Sequence, residues 1–567
     1  MVRKSLILSL PILLSQVACT QLGFELNRKE NKPTQTEEQQ FPPATVSEET
    51  IAEMDQKLID RVNIDPKCEE QASSSPSIRT LTREEYLTTV TSRLSIDLAE
   101  VDIASELPLN SIEKGFRNIA ELNQISRGRL EQYLDASELV AEQFILQSPN
   151  VFNCGQAPGN CVDQWLKSEL TVIWRQAIAA EDYEELIAFF EENGSNEAAF
   201  KLLVQRVIMS PNFLTIRELG SGGQLSSYEL LSSLAFSMWG QGPDKELIQE
   251  AANTAFDTRE KVEAKVRQMM KDDRFDIGLK RFLEAWLETD RIHRTNNSEE
   301  TFPGFTNNLK GKLEEDVFLV FRYLIDNDMD TFENIVKVDF TFTSSEVAQI
   351  YGLNRHESGV QFRNSDMYAL QDSAKGLMSL PGIVSGLSTN NNSNIPMRGN
   401  FVLSKVLCTE LPEPSAEILE QSAGLLPDMN LSARDSLQKQ TEIPACYGCH
   451  ESINGIGFGL ENLSPIGKVR SMDDHQKPVN AISNYVQTNR ETIEFNGAQG
   501  MNDLLSISER AQQCMATQIF RFSYGRFEST EDKCTIAKSR ILAWDQGTKF
   551  SDILVNLYTS PLFMQRK

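Results

Sequence analysis

Cys446, Cys449 and His450 stand in the run Cys446-Tyr447-Gly448-Cys449-His450, two thiols and an imidazole within five residues. C-x-x-C-H is the spacing by which haem is joined covalently to a polypeptide. Each thiol can add to one vinyl group of the porphyrin, and the next histidine lies under the iron as its proximal ligand. The chain holds nine cysteines and four histidines in 567 residues. Shuffled at that composition, it would contain the pentapeptide roughly one time in a thousand. Two plainer chemistries use the same residues: a CxxC disulfide, or half of a zinc site. Zinc needs two more ligands at similar spacing, and no second CxxC or HxxxH exists.

One CxxCH predicts one haem c and argues against a di-haem peroxidase. The sixth iron position decides the chemistry. A methionine there closes the site for electron transfer, whereas an empty position permits ligand or peroxide chemistry. Met501, roughly fifty residues on in Gly500-Met501-Asn502, is the distal candidate, with Met397, Met472, His475 and Met515 as competitors. Arg470 is a candidate propionate contact, since a guanidinium pairs bidentately with a carboxylate. Tyr447 and Phe458 are candidates to line the ring. His293 and His356 match no catalytic spacing and read as surface residues. The sequence has no G-x-S-x-G, phosphate loop, H-E-x-x-H or dinucleotide fingerprint.

Covalent haem attachment belongs outside the cytoplasm, and the N-terminus reads accordingly. Residues 1–18 have a basic start at Arg3 and Lys4, a short apolar run from Leu6 to Leu14, and small residues before Cys19. That is a secretory signal, too short to span a bilayer as a mature helix. Val17-Ala18-Cys19 is similar to a lipobox, which makes Cys19 the expected lipidation site and ties the protein to a membrane surface. Plain secretion with Cys19 as an ordinary thiol is the alternative. The expected location is the cell envelope, periplasmic or on the outer membrane. The six remaining cysteines, Cys68, Cys154, Cys161, Cys408, Cys514 and Cys534, are an even set suited to disulfides in an oxidising compartment. Their connectivity stays open, although Cys154 and Cys161 flank a loop that can close on itself.

A formal charge of −26 excludes the basic footprint of a nucleic-acid partner. It suits solubility and can steer a basic redox partner. Residues 19–77 are polar and predict a lipid-anchored tether, with a short helix conceivable from Glu49 to Val62. Beyond them the pattern is helical. Thr82-Arg83-Glu84-Glu85 opens a helix with Tyr86, Val90 and Leu94 on one face. Ser226 to Glu229 is a capping box before Leu230, Leu234 and Met238. Further amphipathic helices are expected over 258–272, 279–287, 314–326 and 514–522. Ser148-Pro149, Ser210-Pro211 and Ser560-Pro561 each mark a helix stop, because proline biases the residue before it out of the helical region. Residues 380–445 look irregular and are expected to form one wall of a haem crevice or a surface connection.

Several motifs in order give a resemblance. Leu81-Thr82-Arg83-Glu84-Glu85-Tyr86, Ser210-Pro211-Asn212-Phe213, Arg281-Phe282-Leu283 with Trp286, Asp339-Phe340-Thr341-Phe342, Arg398-Gly399, the CxxCH, Gly457-Phe458-Gly459-Leu460-Glu461-Asn462, and Phe522-Ser523-Tyr524-Gly525-Arg526 are similar to those of the multidomain cytochrome-like proteins of planctomycetes and proteobacteria, built from serial domains of unknown function. The resemblance runs from about residue 78 to the C-terminus. It implies a c-type cytochrome-like part and helical partner domains, with no established substrate. Two departures stand out: Asn454-Gly455 replaces the usual Asp-Pro, and Leu463-Ser464 the usual Phe-Asp.

The predicted fold is mainly α, a multidomain helical array with a C-terminal cytochrome c-like haem-motif region. Its expected domains are 78–145, 146–222, 223–355, 356–480 and 481–567. The expected function is electron transfer with an envelope oxidoreductase. The alternatives are an open-site haem enzyme of peroxidase type and a non-haem envelope scaffold whose CxxC is a disulfide.

Overall fold

A computed structural model describes residues 58–63, 68–99, 101–389, 391–423, 425–544 and 547–567. The signal segment, Cys19 and most of the expected tether lie outside the described residues. The fold is mainly helical, with short antiparallel strands.

The N-terminal part is built on one core. Strand β1 (Ser77–Thr80) leads into α1 (Arg83–Leu94), where Thr82 and Glu85 satisfy each other's free N–H groups as a capping box. α2 (Arg127–Gln147) packs on α3 (Glu197–Met209), which leads through a one-turn helix to β2 (Thr215–Glu218), paired antiparallel with β1. Tyr86, Val90 and Leu94 are buried with Tyr133, Val140 and Phe144 of α2 and Phe200, Val204 and Val207 of α3. The expected domains 78–145 and 146–222 therefore share a single interior. The helix Pro158–Trp174 joins the same interior, with Trp165 against Phe144 of α2. Each Ser-Pro stops its helix as expected, and each proline starts a further single turn. Phe213 folds back edge-on against Tyr86, and Phe563 against Tyr524 and Tyr558.

The middle part runs through α4 (Ser227–Trp239), capped by Ser226 and Glu229 and stopped by Gly240 in the left-handed region, then α5 (Phe275–Leu287) and α6 (Asn307–Asp326). A small sheet not foreseen in the sequence follows. β3 (Phe340–Thr343) pairs with β4 (Ser365–Ala369), and the two-residue strands Asn354–Arg355 and Gln361–Phe362 also pair with β4. Phe340, Phe342 and Phe362 cluster around Tyr323 of α6, which anchors the sheet to the helix.

Residues 380–445 are less irregular than expected. They contain α7 (Ile395–Phe401), a π-helical continuation at Val402–Val406, a short helix at Ala416–Ala423 and α8 (Ala433–Thr441). α9 (Pro444–Gly457) follows, then the hairpin β5 (Ile482–Val486) and β6 (Thr492–Asn496), α10 (Gly497–Ser506), α11 (Glu509–Tyr524) and α12 (Phe550–Tyr558).

Three disulfides bind this framework: Cys68–Cys534, Cys154–Cys161 and Cys408–Cys514. The first corrects the tether reading for its described part. Residues 58–63 and 68–74 lie along the C-terminal domain as a strap, and the described part of the expected helix is not helical. The Asp60 carboxylate accepts from Thr488 N and Oγ1 at 2.7 and 2.6 Å and from the Tyr485 hydroxyl, and Ile59 bridges to Ser508. These contacts depend on residues more than 400 positions away, which a local reading of polar composition does not register. Among the described residues no helix is long and apolar enough to cross a membrane.

Candidate functional site

Ile443 is extended and Pro444 occupies the first helical turn, where its missing N–H leaves no bond unmade, so α9 starts immediately before the motif. Cys446, Cys449 and His450 then fall at i, i+3 and i+4 on one face of the helix. Ile453 and Gly457 continue the same stripe, and that half is pressed onto α7. A Cβ at Gly399 would run into the Ile453 carbonyl, and one at Gly457 into the Ile395 carbonyl. The two helices thus cross antiparallel at backbone contact, and the π-helical Val402–Val406 packs on α9 as well. The motif half of the stripe is partly exposed, and the side of the helix turned away from it is open. Cys446, Cys449 and His450 are half-buried, Tyr447 is 50% exposed, and a Cβ at Gly448 would meet nothing within 4 Å.

A relay of hydrogen bonds sets the imidazole. The Thr441 hydroxyl donates to the Leu437 carbonyl at 2.9 Å, so its oxygen is left to accept. Asn454 Nδ2 donates to it at 2.9 Å, which turns the amide oxygen toward His450. Asn454 Oδ1 stands 3.0 Å from His450 Nδ1. An amide oxygen only accepts, so Nδ1 carries a proton, and in the neutral ring Nε2 has the lone pair. The hydroxyl of Ser483 on β5 donates to the Gly455 carbonyl, holding the hairpin on this end of α9.

Both motif thiols are free, whereas the other six described cysteines are paired. Among the described residues no group of His, Cys, Asp and Glu converges to hold a bare metal ion. Ligands of a covalent haem need not converge, because the thioethers sit at the porphyrin edge and the imidazole at its centre. The residues present therefore fit haem better than zinc.

The other sequence candidates are placed as follows. Arg470 is partly buried and already occupied: its guanidinium pairs with Asp474, donates to the Glu461 carbonyl at 2.9 Å and lies 3.8 Å from the Glu461 carboxylate. Phe458 is buried under the Arg434 guanidinium, 4.4 Å away. Met501 is buried on α10, whose start is tied to Asn462 and β6, beyond the opposite end of α9 from the motif. Met515 is buried on α11, and the Met397 sulfur accepts from Arg291 at 3.2 Å. Met472 is exposed, and His475 Nδ1 donates to the Leu431 carbonyl at 3.0 Å. His293 pairs with Glu314, and His356 with Ser358, both at the surface.

Behind the crossing lies a buried charge cluster whose residues stand in the sequence only as separate motif positions. The fully buried Arg398 guanidinium donates to the carbonyls of Leu460, Leu463 and Ser464 at 2.7–2.8 Å. Burial pulls it down to about 9, with Arg470 adding to the effect, so it stays charged at neutral pH. Burial pushes the Glu461 carboxyl up to about 7 against the pull of Arg470. Thr441 was missed, and Asn454 was noted only as a departure from the usual Asp-Pro. Asn454 stands four residues after His450, a spacing that places it on the same helix face, and this signal was present in the sequence.

Four family models match the chain, each described as a protein of unknown function: DUF1587 over residues 79–146, DUF1592 over 225–353, DUF1588 over 374–473 and DUF1585 over 493–563. They fit a multidomain arrangement of the planctomycete type. The CxxCH, the α7–α9 crossing and the Arg398 cluster lie in the DUF1588 match, and Met501 lies in the DUF1585 match. No curated protein and no solved structure matches the chain.

Proposed function

We propose that the protein is an exported c-type cytochrome-like lipoprotein, anchored at Cys19, that carries one covalent haem c and passes single electrons to or from an envelope oxidoreductase. The observation that carries this reading is the placement of two free thiols and an imidazole hydrogen-bonded through Nδ1 on one half-buried helix face. Cys446 and Cys449 would each add S–H across a vinyl double bond, sulfur to one carbon and hydrogen to the other, so attachment needs no oxidant. His450 would give Nε2 to the iron. Haem bound there supplies Fe(III)/Fe(II) exchange. Three disulfides suit an oxidising compartment, in keeping with export.

A second reading is an open-site haem enzyme of peroxidase type. It is favoured by the placement of the methionines: Met501 and Met515 are sealed in the core, and Met397 is held by Arg291. With Arg470 occupied by Asp474, a propionate contact there would require that pair to open.

Expression in a host with working haem maturation tests both readings. The wild-type chain is expected to gain the mass of one haem and a Soret band, and Cys446→Ala/Cys449→Ala to lose both. A low-spin spectrum supports electron transfer. A high-spin spectrum that responds to peroxide or carbon monoxide supports the open site. No haem mass on the wild-type chain, with Cys446 and Cys449 joined, leaves only the scaffold reading.

A further inference from the structure

The geometry points to Asn454 as a positioning residue that sets the reduction potential of the iron His450 would ligate, by offering the imidazole a neutral acceptor. This rests on the haem reading above. Asn454 is 6% exposed, and the Thr441–Leu437 bond decides which way its amide faces. The hydroxyl proton of Thr441 is spent on a backbone carbonyl. A flipped amide would therefore set oxygen against oxygen at Thr441, and would confront His450 Nδ1 with an N–H.

The bond does two things to the ring. It fixes the ring's rotation about the Cβ–Cγ axis, which aims Nε2, and it selects the tautomer that can bind metal. How far the acceptor draws the Nδ1 proton sets the basicity of Nε2. A carboxylate draws it strongly, gives the ring anionic character and favours ferric iron. An apolar group draws it not at all and favours ferrous iron. An amide lies between. The side chain at 454 thus acts on the iron without touching it.

The test uses the full chain loaded with haem, its midpoint measured by spectroelectrochemical titration with covalent haem checked by mass. Asn454→Asp is expected to lower the midpoint and Asn454→Leu to raise it, giving the order Asp, Asn, Leu. The iron–histidine stretching frequency of the ferrous form, read by resonance Raman where the iron is five-coordinate or made so by photolysis of carbon monoxide, is expected to fall in the same series. The two variants shift the midpoint in opposite directions, so one that folds still reports the sign. A loss of packing alone would move both the same way. Haem-loaded variants that keep the wild-type midpoint, or shift in the same direction, overturn this assignment while leaving the haem reading intact. A wild-type chain that gains no haem overturns both.

Discussion

Glu461 holds a proton that the unfolded chain would release. Its carboxyl is 1% exposed, and one of its oxygens has no hydrogen-bond partner. Burial raises it from 4.5 to about 7; Arg470 and Arg398 oppose the rise, and Asp473 and Asp474 reinforce it. Between those values the native state binds more protons than the unfolded state, so stability falls as pH rises through the interval. The size is about 3 kcal/mol. Glu461→Gln is expected to remove this slope. In urea unfolding at pH 5 and pH 8, the wild type should lose about 3 kcal/mol more than the variant. Parallel losses would mean that Glu461 is ionised throughout and pairs with Arg470 despite the 3.8 Å gap. The CxxCH was legible because its residues are adjacent and in fixed order, as the proposed covalent attachment would require. Glu461 was not, because its chemistry comes from burial, and burial is decided by α7 and the hairpin rather than by its neighbours in sequence.

The crossing of α7 and α9 depends on two glycines, and a third glycine in α9 provides its own control. Gly399→Ala puts a methyl group against the Ile453 carbonyl, a backbone atom that cannot swing aside. The expected loss is about 2–3 kcal/mol, from helices forced apart. Gly448→Ala meets open space, and replacing glycine by alanine within a helix gains about 0.5–1 kcal/mol. Thermal unfolding of the two variants should therefore move the midpoint in opposite directions; a shift of the same sign would mean that α9 is not held as described. Helix starts were readable beforehand where a side chain completes the cap locally, as at Thr82 and Ser226. Strands were less visible. Thr492 to Asn496 alternates polar and apolar residues in period two, and that signal was passed over; Ile482 to Val486 turns Ile482 and Val486 outward and carries no such pattern. Phe340-Thr341-Phe342-Thr343 alternates aromatic and polar β-branched residues in period two, and that signal was also passed over.

The segment around Ser74 lies against the last residues of the sequence. Ser74 pairs with Arg566, the Lys567 N–H donates to the Ser74 carbonyl, and Cys68 is bonded to Cys534 across 466 positions. A cross-link removes more freedom from the unfolded chain the longer the loop it closes. Cys68→Ser/Cys534→Ser is therefore expected to lose on the order of 4 kcal/mol, and Cys154→Ser/Cys161→Ser, which opens a loop of separation 7, about 2 kcal/mol. The comparison requires that the strap be a closure, with the bond holding the N-terminal segment where Asp60 and Ile59 also engage. If instead those hydrogen bonds alone secure residues 58–77, the long-range variant should still show the strap protected from proteolysis. If the bond is what holds it, cleavage should appear first between Leu58 and Ser77 in the variant and nowhere in that span in the wild type. Equal losses from the two variants, with the strap protected in both, would remove the disulfide from the account of how the strap is joined and leave the Asp60 contacts as the fastening.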